Sequence, residues 1–183
     1  MKDETKLGIL ALATSLALSA GDASAALATY EYSSNAVNHC QAFTPGPANT
    51  IRNRVVGSEN VGTAPMNVAC NFGSMTNGAA GQAPPTSIYV YFSNNSAAAI
   101  TIKCTLLTGY MGSSSSYMVS KSVEVPAHST TADYSLDWSA ADNPDQPATD
   151  LGDPLVGINC VLPPGAVIND TYIQQTMDNG VGN

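Results

Sequence analysis

Apolar and polar residues alternate along much of this chain, with the period of two that is typical of half-buried β-strands. Within residues 156–162 every second side chain is apolar, and Cys160 belongs to that set. Residues 100–106 repeat the pattern and include Cys104. Successive side chains of a strand point to opposite faces, so each set shares one face, and that face must be buried. Both thiols are therefore predicted to point into a core, where one disulfide can join the two strands.

The same alternation predicts further strands, separated by segments rich in Gly, Pro, Asn and Ser. They are placed at residues 27–32, 51–56, 66–72, 86–92, 98–107, 118–125, 130–138 and 166–175. Short strands without a helical period predict an all-β fold, an antiparallel β-sandwich of about eight strands, with a jelly-roll as one arrangement of it. Asn94-Asn95-Ser96 favours a hairpin between the strands at 86–92 and 98–107.

The N-terminus has the features of an export signal. Residues 7–20 are predominantly apolar, a run too short to span a bilayer but suited to the core of a signal peptide. Ala23-Ser24-Ala25 supplies the small residues that signal peptidase requires. We expect a signal peptide at residues 1–25 and a single domain at residues 26–183, secreted or periplasmic, with no membrane anchor in the mature form. A buried helix at the N-terminus is the alternative, and it lacks an amphipathic stripe.

The chain has four cysteines, all in the part expected to be exported. An even number in an oxidising compartment indicates two disulfides, and three pairings are open. We favour Cys40–Cys70 together with Cys104–Cys160. A zinc site is disfavoured, because the cysteines are far apart in the sequence and no C-x-x-C motif is present.

The charge of the chain argues against a nucleic-acid partner and suggests a bound cation. The chain carries 6 basic and 14 acidic residues, a formal net charge of −8 at pH 7. Such a surface repels polyphosphate, so no nucleic-acid partner is expected. No lysine or arginine follows Lys121, and residues 137–153 are rich in aspartate.

Residues 137–153 are a candidate site for Ca²⁺, which prefers several oxygen ligands. The candidate ligands are Asp142, Asn143, Asp145, Asp150 and Asp153. The segment lacks the glycine and the terminal glutamate of an EF-hand, and two prolines interrupt it. The alternative is a solubilising acidic loop without a bound ion.

No arrangement of residues in the sequence indicates catalysis. G-x-S-x-G is absent, and we interpret His39 as a neighbour of a disulfide and His128 as a solvated turn residue. A Cys–His mechanism needs a free thiol, which the even number of cysteines argues against. Asp133 and Asp137 share one strand face, but a solvated face explains them better than the acid pair of a glycosidase. We therefore expect a protein that is not an enzyme.

Aromatic residues give the clearest indication of a binding site. Tyr89 and Tyr91 lie in the phase opposite to the apolar residues of their strand. A displayed tyrosine pair can stack on the C–H faces of sugar rings. Trp138, at the end of its strand, is predicted to join this ligand site. The alternative is that these rings only cover the sheet or pack under a loop.

Residues 160–165, C-V-L-P-P-G, form the most distinctive short motif of the chain. With this motif, the chain resembles a group of small secreted bacterial proteins that have four cysteines. The other positions that carry the resemblance are Cys40, residues 51–53, 68–70 and 104–106, and Tyr172. The resemblance implies export and disulfides, and it implies no activity.

These observations favour a secreted, non-enzymatic β-sandwich that binds a glycan or another partner at the cell surface. A structural subunit of a cell-surface layer or filament is the second hypothesis, because the strand faces are rich in uncharged Ser, Thr and Asn. An extracellular hydrolase is the third. Size separates the first two, because a binding module stays monomeric while a filament subunit polymerises.

Overall fold

The computed structural model describes residues 27–43, 50–72, 84–109, 117–142, 150–151 and 156–178. The predicted signal peptide, residues 1–25, lies outside these ranges. The described residues form the strands β1 (Leu27–Asn35), β2 (Cys40–Ala42), β3 (Ile51–Arg54), β4 (Gly57–Asn60), β5 (Met66–Phe72), β6 (Pro85–Asn94), β7 (Ile100–Thr108), β8 (Tyr117–Val125), β9 (Ser129–Ser139), β10 (Val156–Leu162) and β11 (Ala166–Asp178). Within the same ranges, no helix has the length and hydropathy needed to cross a membrane.

The strands form two antiparallel sheets that pack as a sandwich. Sheet I has the order β3-β4-β11-β6-β9, with β1 paired to β11 beyond the end of β4, and sheet II has the order β2-β5-β10-β7-β8. When β4 to β11 are counted as strands one to eight, sheet I contains the order 1-8-3-6 and sheet II the order 2-7-4-5. This is the jelly-roll arrangement of two sheets. The predicted all-β sandwich is confirmed, with three additional strands before the jelly-roll.

Both disulfides lie in sheet II and join directly opposed residues of neighbouring strands. Cys40 of β2 faces Cys70 of β5, and Cys104 of β7 faces Cys160 of β10. All four side chains are buried, because each lies in the inward phase of its strand. The favoured pairing is confirmed, and the disulfides join β2 to β5 and β7 to β10 rather than joining the two sheets.

The predicted hairpin between 86–92 and 98–107 is wrong. β6 belongs to sheet I, where it pairs with β11 and β9, and β7 belongs to sheet II. Asn94 turns the chain from one sheet into the other. Its Oδ1 accepts the N–H of Ser96 at 2.8 Å, and its Nδ2 donates to the carbonyl oxygens of Ala98 at 2.8 Å and Val125 at 3.1 Å.

Asn60 makes the same corner between β4 and β5. Its Oδ1 accepts the N–H of Gly62 at 2.9 Å, and its Nδ2 donates to the carbonyl oxygens of Ala64 at 2.9 Å and Leu162 at 2.8 Å. In both corners the asparagine side chain bonds its own loop and the end of a strand in sheet II. Two buried amides therefore fix where the chain crosses between the sheets.

Gly165 holds the turn of the C-V-L-P-P-G motif against these corners. Its φ of +82° is unfavourable for other residues, and a Cβ atom there would lie 2.8 Å from Ser96 Cβ. Its N–H donates to Asn60 O at 2.8 Å, and its carbonyl accepts the N–H of Asn95 at 2.9 Å. The motif is therefore explained by strand burial and by a close turn.

Candidate functional site

The outer face of sheet I carries a cluster of aromatic and polar side chains, which we call the tyrosine face. Its defining residues are Tyr89 and Tyr91 of β6, Tyr172 and Gln174 of β11, and Glu31 of β1. They project outward because their neighbours in the opposite phase, Ile88, Val90 and Ile173, are buried in the sandwich. The three tyrosines are partly exposed, and Glu31 is exposed. The predicted outward phase of Tyr89 and Tyr91 matches their position in the structure.

Strand register brings two of these rings together. Tyr172 lies opposite Tyr89 on one side and Ser33 of β1 on the other. The ring centroids of Tyr89 and Tyr172 are 5.7 Å apart, with an interplanar angle of 64°. This edge-to-face contact is favourable and limits the orientations that each ring can adopt.

Hydrogen bonds across three strands fix the polar side chains of the face. Gln174 Nε2 donates to Glu31 Oε1 at 3.0 Å, and Gln174 Oε1 accepts from Ser87 Oγ at 2.9 Å. The Tyr172 hydroxyl donates to the Glu31 carboxylate, which lowers the pKa of Glu31 and raises the pKa of Tyr172. The face is thus organised before any ligand arrives.

A groove of about 460 Å³ opens beside Tyr91. Its lining residues are Ser33, Ser34, Asn35, Tyr91 and Asp170. β11 bulges between Ile168 and Thr171, and Asp170 lies at this bulge. The groove combines hydroxyl, amide and carboxylate groups with an aromatic ring, a set that can bond the hydroxyls of a polyol and contact its C–H groups.

Comparison with known proteins gives no family. Neither a protein-family model nor a curated protein matches the sequence. Among solved structures, the carbohydrate-binding module CtCBM11 is 10% identical, with a TM-score of 0.37, over 85% of this chain and 90% of that chain. TmCBM61 in complex with β-1,4-galactotriose is 8% identical, with a TM-score of 0.33, over 79% of this chain and 83% of that chain.

A third match is the enzymatically active domain of tailspike protein 4 from bacteriophage CBA120. It is 13% identical with a TM-score of 0.33, and the alignment covers 85% of this chain but only 19% of the tailspike chain. At such scores, the similarities assign neither a ligand nor an activity to this protein.

Trp138 does not belong to the tyrosine face, so this member of the predicted ligand site is wrong. Its side chain is fully buried, and its Nε1 donates to Val119 O of sheet II at 3.2 Å. It lies in the same inward phase of β9 as the buried Leu136. The indole therefore joins the two sheets through the core.

The structure describes two of the five candidate calcium ligands. Asp142 forms an ion pair with Lys121 and accepts the N–H of Ser139 at 2.9 Å. Asp150 is partly buried and lies in a bend. The other three candidates, Asn143, Asp145 and Asp153, lie outside the described residues. Within the described residues, no three His, Cys, Asp or Glu side chains are grouped so that they could hold a metal ion.

His39 has more contacts than its position beside a disulfide suggested. Its Nε2 lies 2.7 Å from Thr171 Oγ1 of sheet I, and its ring packs 5.2 Å from that of Phe72 in sheet II. Burial lowers the pKa of His39. His128 is exposed, as expected of a solvated turn residue, and so are Asp133 and Asp137 on their strand.

Sequence reasoning missed Tyr172, Gln174 and Glu31 as members of the site. The alternation in β11 contained a signal for Tyr172, because Ile173 beside it is apolar and hence predicted to be buried. The position of Glu31 depends on the pairing of β1 with β11, which joins the two ends of the described chain. No local pattern predicts that pairing.

Proposed function

We propose that the protein is a secreted, non-enzymatic module that binds a polysaccharide on its tyrosine face. The observation that carries the proposal is the presence of three partly exposed rings, Tyr89, Tyr91 and Tyr172, on one outer sheet face beside a groove. Two disulfides support a location in an oxidising compartment outside the cytoplasm.

The chemistry of the face suits a sugar chain. An aromatic ring offers a flat apolar surface for the C–H groups of a pyranose, while its edge and hydroxyl remain polar. Gln174 and Glu31 are already held by hydrogen bonds to each other and to neighbouring strands. A ligand that binds here has few side chains to order, so the conformational entropy cost of binding is smaller than it would be at a site on a flexible loop.

Charge narrows the class of polysaccharide. Glu31, Asp137 and Asp170 all lie on this side of sheet I, and each is exposed. Three carboxylates repel a polyanionic chain such as a uronate polymer. The proposed ligand is therefore a neutral polysaccharide, whose hydroxyls can donate hydrogen bonds to carboxylate oxygens.

Electrophoresis in native gels containing a soluble polysaccharide tests the proposal. Hydroxyethyl cellulose, mixed-linked β-glucan and galactomannan serve as neutral probes, and alginate serves as the anionic control. We expect at least one neutral polymer, and not alginate, to retard the protein. Replacing both Tyr89 and Tyr91 with alanine should weaken that retardation about tenfold, as expected when stacking contacts worth about 1–2 kcal/mol are lost.

Tyr32→Ala is the matched control. Tyr32 is 53% exposed and lies on β1 beside Glu31, but it projects from the opposite face of the strand. Its loss should leave retardation unchanged. Equal weakening by the control, or no retardation by any neutral probe, would contradict binding at the tyrosine face. Release of new reducing ends from a bound polymer would contradict the non-enzymatic assignment.

A further inference from the structure

The outer face of sheet II contains a second groove, on the side of the sandwich opposite to the tyrosine face. Its volume is about 510 Å³. The lining residues come from four neighbouring strands and from the end of β2: Phe43, Asn67, Ala69, Asn71, Thr105, Leu107, Met118, Gly157, Ile158 and Asn159. We call this the amide groove.

Strand register explains the shape of the amide groove. Ala69, Asn159 and Thr105 are directly opposed across β5, β10 and β7. The adjacent row begins with Asn71, which is opposed to Gly157. Gly157 has no side chain, so it lowers the floor of this second row between Asn71 and Leu107. The groove therefore runs across the strands, and a ligand in it would cross several of them.

Two exposed side chains form the walls of the groove. Phe43 is 73% exposed, and its N–H donates to Asn67 O at 2.9 Å, which anchors it beside β5. Met118 is 66% exposed and lies on the edge strand β8. An exposed phenyl ring and a flexible thioether at opposite ends of a floor that combines apolar side chains with asparagine amides can contact the C–H surface of a ligand between them.

Among the described residues that line the groove, none has a charged side chain, although the chain as a whole has 6 basic and 14 acidic residues. The polar side chains among these described residues are three asparagine amides and one threonine hydroxyl. Asn159 Nδ2 and Asn67 Oδ1 are 3.5 Å apart, at the outer limit of a hydrogen bond, so both amides retain capacity for a ligand. Neutral donors and acceptors with one exposed aromatic ring match an uncharged ligand rich in hydroxyls.

We propose that the amide groove is a second binding site, which takes an uncharged oligosaccharide segment independently of the tyrosine face. Phe43 stacks on one sugar ring, and Asn67 and Asn159 bond sugar hydroxyls. A protein partner fits less well, because protein interfaces concentrate apolar and aromatic residues in a continuous core, whereas the amides of Asn67, Asn71 and Asn159 interrupt the apolar lining here. Because the two sheets lie back to back, the two sites face in opposite directions, and one molecule can join two polysaccharide chains.

Gly157→Val is the decisive variant. A Cβ atom at this position meets nothing closer than 3.5 Å, so the strand accepts a side chain, and the added methyl groups fill the groove floor. Phe43→Ala removes the exposed ring as a second, independent variant. Thr101→Ala is the matched control, because Thr101 is exposed on the same sheet face and does not line the groove.

The experiment places each change in a background with both Tyr89 and Tyr91 replaced by alanine, and it uses native gels containing hydroxyethyl cellulose, mixed-linked β-glucan or galactomannan. We expect at least one polymer to retard the background protein. Gly157→Val and Phe43→Ala should each weaken this retardation about tenfold, and Thr101→Ala should leave it unchanged. Unchanged melting temperatures show that the variants are folded.

Three results would overturn the second site. The background protein could migrate freely in all three polymers, or its retardation could be insensitive to both groove variants. Light scattering could instead show a dimer that Gly157→Val dissociates, which would assign the groove to a second copy of the chain. The tyrosine face is tested separately, by comparing the retardation of Gly157→Val alone with that of the variant that also has alanine at Tyr89 and Tyr91. Failure of one site is therefore distinguishable from failure of the other.

Discussion

Lys121 and Asp142 form an ion pair that bridges the two layers at one side of the sandwich. Lys121 Nζ lies 2.9 Å from Asp142 Oδ1 and donates to the carbonyl oxygen of Asp137 at 2.7 Å. Lys121 is opposed to Cys104, so it occupies the inward phase of β8, where apolar residues are expected. Because β8 is an edge strand, the ammonium group can reach β9 of the other sheet instead of entering the core. An inward-pointing charge also discourages the pairing of further strands at that edge.

Replacing Lys121 with methionine should therefore have a small effect on stability. The lysine and aspartate side chains are 30% and 21% exposed, so solvent screens the ion pair. We expect a loss of roughly 0.5–1 kcal/mol in the free energy of unfolding, measured by urea denaturation at low salt, and a smaller difference at high salt. A loss above this range that does not depend on salt would show that the hydrogen bond from Nζ to Asp137 O, rather than the ion pair, stabilises the edge.

The Asn94 corner should be far more sensitive. Alanine at this position leaves the N–H of Ser96 and the carbonyl oxygens of Ala98 and Val125 without the bonds that the amide supplies. We expect Asn94→Ala to lower the free energy of unfolding by roughly 2–3 kcal/mol. Asn53→Ala is a suitable comparison, because Asn53 is exposed on the edge strand β3 and should lose less than half as much. Equal losses in the two variants would argue against a special role for the corner.

Local patterns in the sequence predicted the strands well. The strand at 66–72 coincides with β5, Met66–Phe72, because alternation of buried and exposed residues is a local consequence of strand geometry. The pairing of the strands was not predictable in the same way. Asn94-Asn95-Ser96 has the composition of a hairpin turn, yet β6 pairs with β11, which lies more than seventy residues further along the chain. A jelly-roll is built from such distant pairings.

In the candidate site, too, local alternation predicted which side chains face outward but not which of them are in contact. The outward phase of Tyr89 was visible in the alternation of β6, whereas its contact with Tyr172 depends on the register of two distant strands. The error at Trp138 was avoidable, because Leu136 and Trp138 are two residues apart in one strand and therefore share a face. Both are buried.

His39 should make stability depend on pH between neutral and mildly acidic conditions. Burial lowers its pKa below the ordinary value of 6.5, so the unfolded chain takes up a proton more readily than the folded protein does. The contribution of His39 to the free energy of unfolding is then fully present above about pH 6.5. It falls as the pH decreases towards the lowered pKa of the folded state, and below that pKa it no longer changes. Urea midpoints measured from pH 5 to pH 8 should show this decrease.

Two variants test whether the pH dependence of stability comes from His39 or from another titratable group. His39→Gln cannot titrate, so its urea midpoint should vary less over the same range. His128→Asn removes an exposed histidine at a positive φ of 54°, a conformation that asparagine tolerates, and should retain the dependence of the parent protein. Glu31, whose pKa is lowered from 4.5, changes stability mainly below this pH range. A pH dependence that persists in His39→Gln would assign the effect elsewhere.

The two disulfides should contribute similar stability but protect different parts of sheet II. The bond between Cys104 and Cys160 spans 56 residues of sequence and joins two central strands, whereas that between Cys40 and Cys70 spans 30 residues and holds the edge strand β2. Chain-entropy arguments give about 4 kcal/mol for each. Replacing either pair by alanine should lower the free energy of unfolding by that amount. Limited proteolysis should then cut near β2 only when Cys40 and Cys70 are replaced, since β2 has three residues and, among the described strands, pairs with β5 alone. Equal cleavage there in both variants would contradict this local role.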